Sequence, residues 1–228
     1  MATRFYLPSS GDSPLPELGI HADWDDTHAS FFRAPTATTK SDTALTNFSD
    51  YFASTSSQQM CYAQWASDYV LAANVDFAPT DTADAVVRTL EEDAATDAYL
   101  ACIVRVVSGD GATDRGTALS YGITGGSGTE FSLTTPSTVR FVSAAMGTVS
   151  ALAGDRIVIE MGAYGWTPAT IYYHLLRFGD PTAASDFALT GGLSTDLCPW
   201  VQVSKTVTLE PVGGLVSAPN MDLMRGMW

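Results

Sequence analysis

The sequence predicts an all-β protein: an antiparallel, jelly-roll-like β-sandwich with irregular arms at its N- and C-terminal ends. Three observations carry that expectation. Short runs of β-branched or alternating apolar residues recur along the chain, punctuated by Gly, Pro, Asp and Ser. Helical periodicity is almost absent. The composition is 46% apolar and 11% aromatic, with much Thr, Ser, Ala, Val and Gly, which suits pleated strands joined by small-residue turns. A chain of 228 residues is long enough to bury such a core without disulfide or metal staples.

Arg4–Leu7 reads as a strand. Residues 8–19 hold Pro8, Pro14 and Pro16 with Gly11 and Gly19, a density that no regular element survives. Residues 1–19 are therefore a strand followed by an extended arm, and residues 20–211 form the sandwich. Thr43–Phe52 alternates loosely. In Met60–Trp65 the apolar side chains fall on both parities, as in a strand covered on both faces. Val70–Phe77 and Ala85–Leu90 are further strands; Thr82–Ala95 can be read as a helix, but the β-branching around Val86, Val87 and Thr89 argues for a strand. Ala98–Val107 is the clearest β segment. Ser108-Gly109-Asp110-Gly111 follows it as a hairpin signal, because glycine accepts positive φ, and the return strand lies near residues 116–120.

After a Gly-rich loop at residues 125–128, short strands are expected near Glu130–Leu133 and Thr138–Val142. Ala153-Gly154-Asp155 turns into Arg156–Ala163. There Ile157, Ile159 and Met161 face the core, while Arg156, Val158 and Glu160 make a mostly polar outer face. Ile171–Phe178 stops sharply at Gly179-Asp180-Pro181. The last strand reads as one long unit, Trp200–Leu209, ended by Pro211. Residues 212–228 form a separate apolar tail, in which Gly213, Gly214 and Pro219 prevent a long helix.

The formal charge of −14, with 11 basic against 25 acidic residues, repels phosphate backbones and anionic lipid, so neither nucleic acid nor a membrane is expected as a partner. The N-terminus lacks an apolar signal segment, and no window is long and apolar enough to span a membrane, so synthesis in the cytoplasm without secretion is expected. Cys61, Cys102 and Cys198 fit no metal spacing, and Cys102, inside an apolar run, reads as a small buried hydrophobe.

Catalytic patterns are scarce. Gly125-Gly126-Ser127-Gly128 is no nucleophile elbow, because Thr129 stands where a glycine is required. Phosphate-loop and dinucleotide fingerprints are missing, so no cofactor is expected. His174 sits among tyrosines and reads as a wall residue with its hydrogen bonds satisfied. His21–His28 is the densest polar cluster. A mixed acid–imidazole metal site is one reading and a solvated turn with Trp24 anchored in the core is the preferred one, so no metal is expected. Gly109–Asp114 lacks the alternating acids of a Ca²⁺ loop. A carboxylate pair of glycosidase type is defined by distance and stays open, but no catalytic residue is assigned and the chain is read as a non-enzyme.

Several stretches, in order, resemble a family of uncharacterised phage and prophage virion proteins. They are Ala2–Gly11; Gln58-Gln59 with Ala63-Gln64-Trp65; Arg105–Ser108; Ala153–Glu160; Leu176–Asp180; and Asp196–Val201. Cys198 departs from the family pattern, and the tail after residue 210 is not shared. The resemblance implies a jelly-roll-like virion component, a capsid cement or decoration protein, or a tail or fibre module, with no catalytic residues.

The expected role is therefore a structural protein on the capsid surface of a bacteriophage. Its partners would be the major capsid protein and neighbouring copies of itself, as a homotrimer or homodimer. The candidate partner-binding residues are Phe5, Tyr6 and Leu7 of the first strand and Leu215, Met221, Leu223, Met224, Met227 and Trp228 of the tail, because extended apolar arms anchor neighbouring subunits. A tail or fibre module that binds a carbohydrate receptor, with Trp166 as its stacking residue, is the alternative.

Overall fold

The computed structural model describes residues 1–52, 56–93, 97–123, 130–131, 133, 137–166, 172–190 and 197–211, with residues 137–140 described by backbone alone. Among these residues the chain is all-β, and two stacked sheets enclose one main core. The first sheet is organised around β7 (Thr82–Glu91). One edge of β7 pairs with β10 (Ser137–Ala145). Its other edge is shared: β14 (Trp200–Val203) takes Ala83–Val86, and β13 (Tyr173–Phe178) takes Arg88–Glu91. β1 (Thr3–Tyr6) flanks β14, and β3 (Thr46–Tyr51) flanks β13.

The second sheet runs in the order β2 (Asp26–Thr36), β4 (Gln58–Ser67), β12 (Arg156–Gly165), β8 (Tyr99–Val107), β9 (Asp114–Tyr121). Two small pairings lie beside the sheets: β5 (Val70–Leu71) with β15 (Leu209–Glu210), and β6 (Val75–Phe77) with β11 (Val149–Ala151). Among the described strands every pairing is antiparallel except β2 with β4, which is parallel; isolated parallel bridges join Glu91 to Leu133 and Asp186 to Cys198. Alternate residues of β7, β8, β12 and β13 point inward and meet Phe5, Tyr62, Trp65, Phe178 and Val201 in the core. Cys102 is buried there, as expected of a small apolar residue.

The hairpin at residues 108–113 forms as read: Gly111 takes φ of 76°, and its N–H donates to Ser108 O at 2.8 Å. Four expectations need correction. The long last strand is two elements, because after Val203 the chain leaves β7 and reaches β5, and Val207 stays buried between them. Val70–Phe77 divides in the same way, into β5 and β6 with different partners. β2 was not anticipated; it is an outer strand with Pro35 near its end and a register break between Thr27 and Phe32, so its pattern is irregular. The outer face of β12 is not solvated: Arg156, Val158 and Glu160 are all buried. The expected Gly-rich loop at residues 125–128 lies outside the described residues.

What covers β12 is the proline-rich segment. Residues 8–24 contain no strand, as expected of residues 8–19, yet they do not extend away from the body. They fold back as a strap across the outer face of the second sheet. Leu15 and Leu18 pack on Ala66, Val107 and Val158, while Ile20 and Trp24 pack on Cys61, Ala101 and Ile103. This second layer is why Met60–Trp65 is apolar on both parities.

Candidate functional site

The chemistry-bearing side chains gather at three places. The first is under the strap. Glu160, fully buried on β12, receives N–H groups from Arg105 Nη2 (2.8 Å), Gln64 Nε2 (2.8 Å), Trp24 Nε1 (2.8 Å) and the backbone of His21 (3.0 Å). Arg105 also donates to Gly19 O and pairs with Asp114 at 3.0 Å. His21 Nε2 lies 2.9 Å from Thr117 Oγ1. The carboxylate is saturated by donors from the strap and from β4 and β8, so its role is to fasten the strap. A charge inside an apolar run, as Arg105 is inside Ile103–Val107, is the sequence signal that could have located it.

The second place is the outer face of β1 and β14, which residues 181–190 and 197–199 cover. Asp186 accepts from Arg4 Nη1 (2.7 Å), Tyr6 Oη (2.9 Å) and Lys40 Nζ (2.9 Å), and the Arg4 guanidinium lies 4.0 Å from the Trp200 ring centre. Burial raises the Asp186 carboxyl, but the hydrogen bonds from Lys40, Tyr6 and Arg4 outweigh it and hold the group below the ordinary range. A depressed carboxylate contributes stability above its unfolded value, and that contribution is lost as pH falls through its folded value. Asp186→Ala should therefore cost about 1–3 kcal/mol at neutral pH, with the difference from wild type shrinking below about pH 4, as urea unfolding at both pH values would show.

The third place is the part of the first sheet that no other described residues cover. On the outward face of β7, β13 and β3, Leu90, Leu175, Tyr173 and Tyr51 stand together, with Tyr173 half exposed and its ring 5.8 Å from that of Tyr51. Ser49, Leu90, Glu92, Tyr173 and Leu175 line a shallow hollow of about 330 Å³ there. β3 is the outer strand of its sheet.

The candidate residues read from the sequence are placed differently from one another. Phe5 and Leu7 are completely buried in the chain's own core, because alternate residues of β1 face the second sheet; they present nothing to a neighbour, which corrects that assignment. Tyr6 faces outward but is engaged by Asp186. Leu215, Met221, Leu223, Met224, Met227 and Trp228 lie outside the described residues. Trp166 is partly exposed, edge-on to Tyr164 at 6.4 Å.

The polar cluster His21–His28 is split by the sheet: His21 lies outside under the strap, whereas His28 points inside, 4.3 Å from the Tyr62 ring. Trp24 is buried, as the turn reading required. Among the described residues no three His, Cys, Asp or Glu side chains converge as metal ligands. His174 differs from its expectation: it is fully buried, and neither ring nitrogen has a hydrogen-bond partner among the described residues.

No protein-family model matches the chain, and no curated protein matches it. Among solved structures it aligns with "Structure of infectious bursal disease virus Gx strain" at 13% identity and a TM-score of 0.20, over 85% of this chain and 41% of that one. It also aligns with "Structure of infectious bursal disease virus Gt strain" at 13% identity and a TM-score of 0.22, over 86% of this chain and 43% of that one. The chain thus spans less than half the length of either, and likeness at this level carries no argument about its fold or function.

Proposed function

We propose that this protein is a structural component of a bacteriophage particle, a capsid cement or decoration protein. It acts by contact with the major capsid protein and with neighbouring copies of itself, as a closed trimer or dimer. The ordered sequence resemblance supports the reading, and one surface observation carries it. Among the described residues, the strap covers the second sheet and residues 181–190 and 197–199 cover half of the first, whereas the apolar outward face of β7, β13 and β3 stands open beside an edge strand. An open apolar face and a sheet edge are the two features on which another protein docks. These acids meanwhile serve the fold: buried Glu160 and partly buried Asp186 fasten covering segments, and buried Asp180 accepts from Ser41 and Thr43.

Locating this chain in purified particles tests the reading. Density on the shell, at a symmetry axis, is the expected result. Particles without the chain would refute it, and density confined to the tail would favour the receptor-binding alternative around Trp166. Deleting residues 212–228 should leave cooperative unfolding and the melting temperature unchanged within about 2 °C while weakening attachment to the shell. Aggregation of the truncated protein would instead assign the tail to the protein's own core.

A further inference from the structure

Where β3, β7 and β13 meet the beginning of β2, the interior of the sandwich is polar and incompletely hydrogen-bonded. His28 Nε2, Thr89 Oγ1, and both Nδ1 and Nε2 of His174 are buried side-chain atoms without partners among the described residues. His174 lies opposite Glu91 of β7 and Asp50 of β3 in the strand register, and alternation turns all three side chains inward. Phe52 stacks on the His174 ring at 4.2 Å and 17°, while the Tyr62 and Phe131 rings lie at 5.6 and 6.4 Å. Tyr62 Oη donates to the His174 carbonyl at 3.3 Å. His28 Nε2 is 3.7 Å from Asp50 Oδ2, and Glu91 Oε2 accepts the Ala98 N–H at 3.4 Å.

An imidazolium here would hold two N–H donors with no acceptor bonded to them among the described residues, shut away from water. A neutral ring leaves one donor and one acceptor unmatched, which costs far less than an unpaired buried charge. We propose that Glu91 and His174 form an inverted acid–base pair, with the proton kept on the carboxyl and withheld from the imidazole, and that together with His28 they set the pH range over which this end of the sandwich stays closed.

The surroundings push each group in the required direction. Burial raises the Glu91 carboxyl to about 7 against the Ala98 hydrogen bond, and the neighbouring carboxylates Glu130, Asp97 and Asp93 add to it. Burial lowers the His174 imidazole to about 3, with His28 adding to it. Burial likewise lowers His28, against the pull of Asp50. Tyr62, which faces the pair, is held protonated by its own burial, and Tyr99, beside Glu91, is raised by its burial and by the surrounding carboxylates.

The consequences for stability have opposite signs. Below about pH 7 folded Glu91 holds a proton that the unfolded chain has released, so acidification toward pH 4.5 stabilises the fold. Below pH 6.5 the unfolded chain protonates its histidines and the folded chain does not, so acidification withdraws stability. Between pH 7 and 5 Glu91 gives roughly a 40-fold gain and His174 a 25-fold loss in the folding constant, and these two nearly cancel, leaving the lowered His28 to add to the loss. Below about pH 4.5 the Glu91 gain is exhausted while the histidine loss continues.

Urea unfolding of the full chain at pH 7, 6 and 5 tests the pair with Glu91→Gln and His174→Phe, the second chosen to suit its aromatic neighbours. Relative to wild type, the Glu91→Gln folding constant should fall by a further 40-fold or so between pH 7 and 5, and that of His174→Phe should rise by about 25-fold. A variant whose pH profile runs parallel to wild type overturns the proposal. Should either variant not fold, NMR titration of the wild-type imidazoles decides. His174 remaining neutral down to pH 5 supports the pair, and His174 titrating near 6.5 refutes it.

Discussion

Glu160→Ala is expected to lower the unfolding free energy by about 3–5 kcal/mol, because it leaves Arg105 buried without its closest counter-charge and releases four N–H donors at once. The effect should extend beyond stability. Trp24 and the His21 backbone are tied to the body through this carboxylate, so the strap should loosen and expose the apolar outer face of β4, β8 and β12. A glutamate-specific protease acting after the exposed Glu17 reports that loosening, and cleavage should be markedly faster in the variant. Glu160→Gln keeps the shape and part of the hydrogen bonding, so it should fall between the two. A loss below 1 kcal/mol in chemical unfolding, with no change in cleavage at Glu17, would mean that the strap is held by its leucines and Trp24 alone.

Gly162→Ala is expected to cost about 3 kcal/mol, at the upper end of what overpacking costs. β12 has a register break against β4 between Met161 and Gly162, and the two backbones close on each other there. A Cβ on residue 162 would lie 1.9 Å from Met60 O and 3.0 Å from Cys61 Cα. Both are backbone atoms of the adjacent strand in a doubly covered sheet, so neither can move aside as a flexible side chain would. Gly19→Ala is the matched control: a Cβ there meets nothing within 4 Å, and its effect should stay within about 0.5 kcal/mol. Equal urea midpoints for the two variants would show that β12 and β4 are not in this close register.

Local pattern was enough to read the all-β class, the hairpin at Ser108–Gly111 and most of the strands. These rest on side-chain alternation and on turn chemistry, both of which are properties of a few consecutive residues. Met60–Trp65 shows how far such reading reaches. Apolar residues on both parities reveal that something covers each face, but not what covers them. The cover proves to be the strap, whose residues 8–19 read from the sequence as an extended arm.

The candidate site was far less legible. Glu160, Asp186 and Glu91 carry no motif, because their partners stand up to 182 residues away and are assembled only by folding. Arg156 and Glu160 looked solvated because charge normally marks a wet face, and tertiary pairing reversed that. The Trp200–Val207 alternation was equally silent about which strand each half would join.

By itself, then, the sequence determined that strands would form, where most of them turn, and that they would share an apolar core, since burial is demanded by side chains wherever the chain goes. Strand order, the parallel β2–β4 pair, the folded-back strap and the meeting of Glu91 with His174 were decided only in the tertiary structure. Hydrophobic periodicity specifies which face of a strand is buried; which neighbour buries it depends on contacts between residues far apart in the chain.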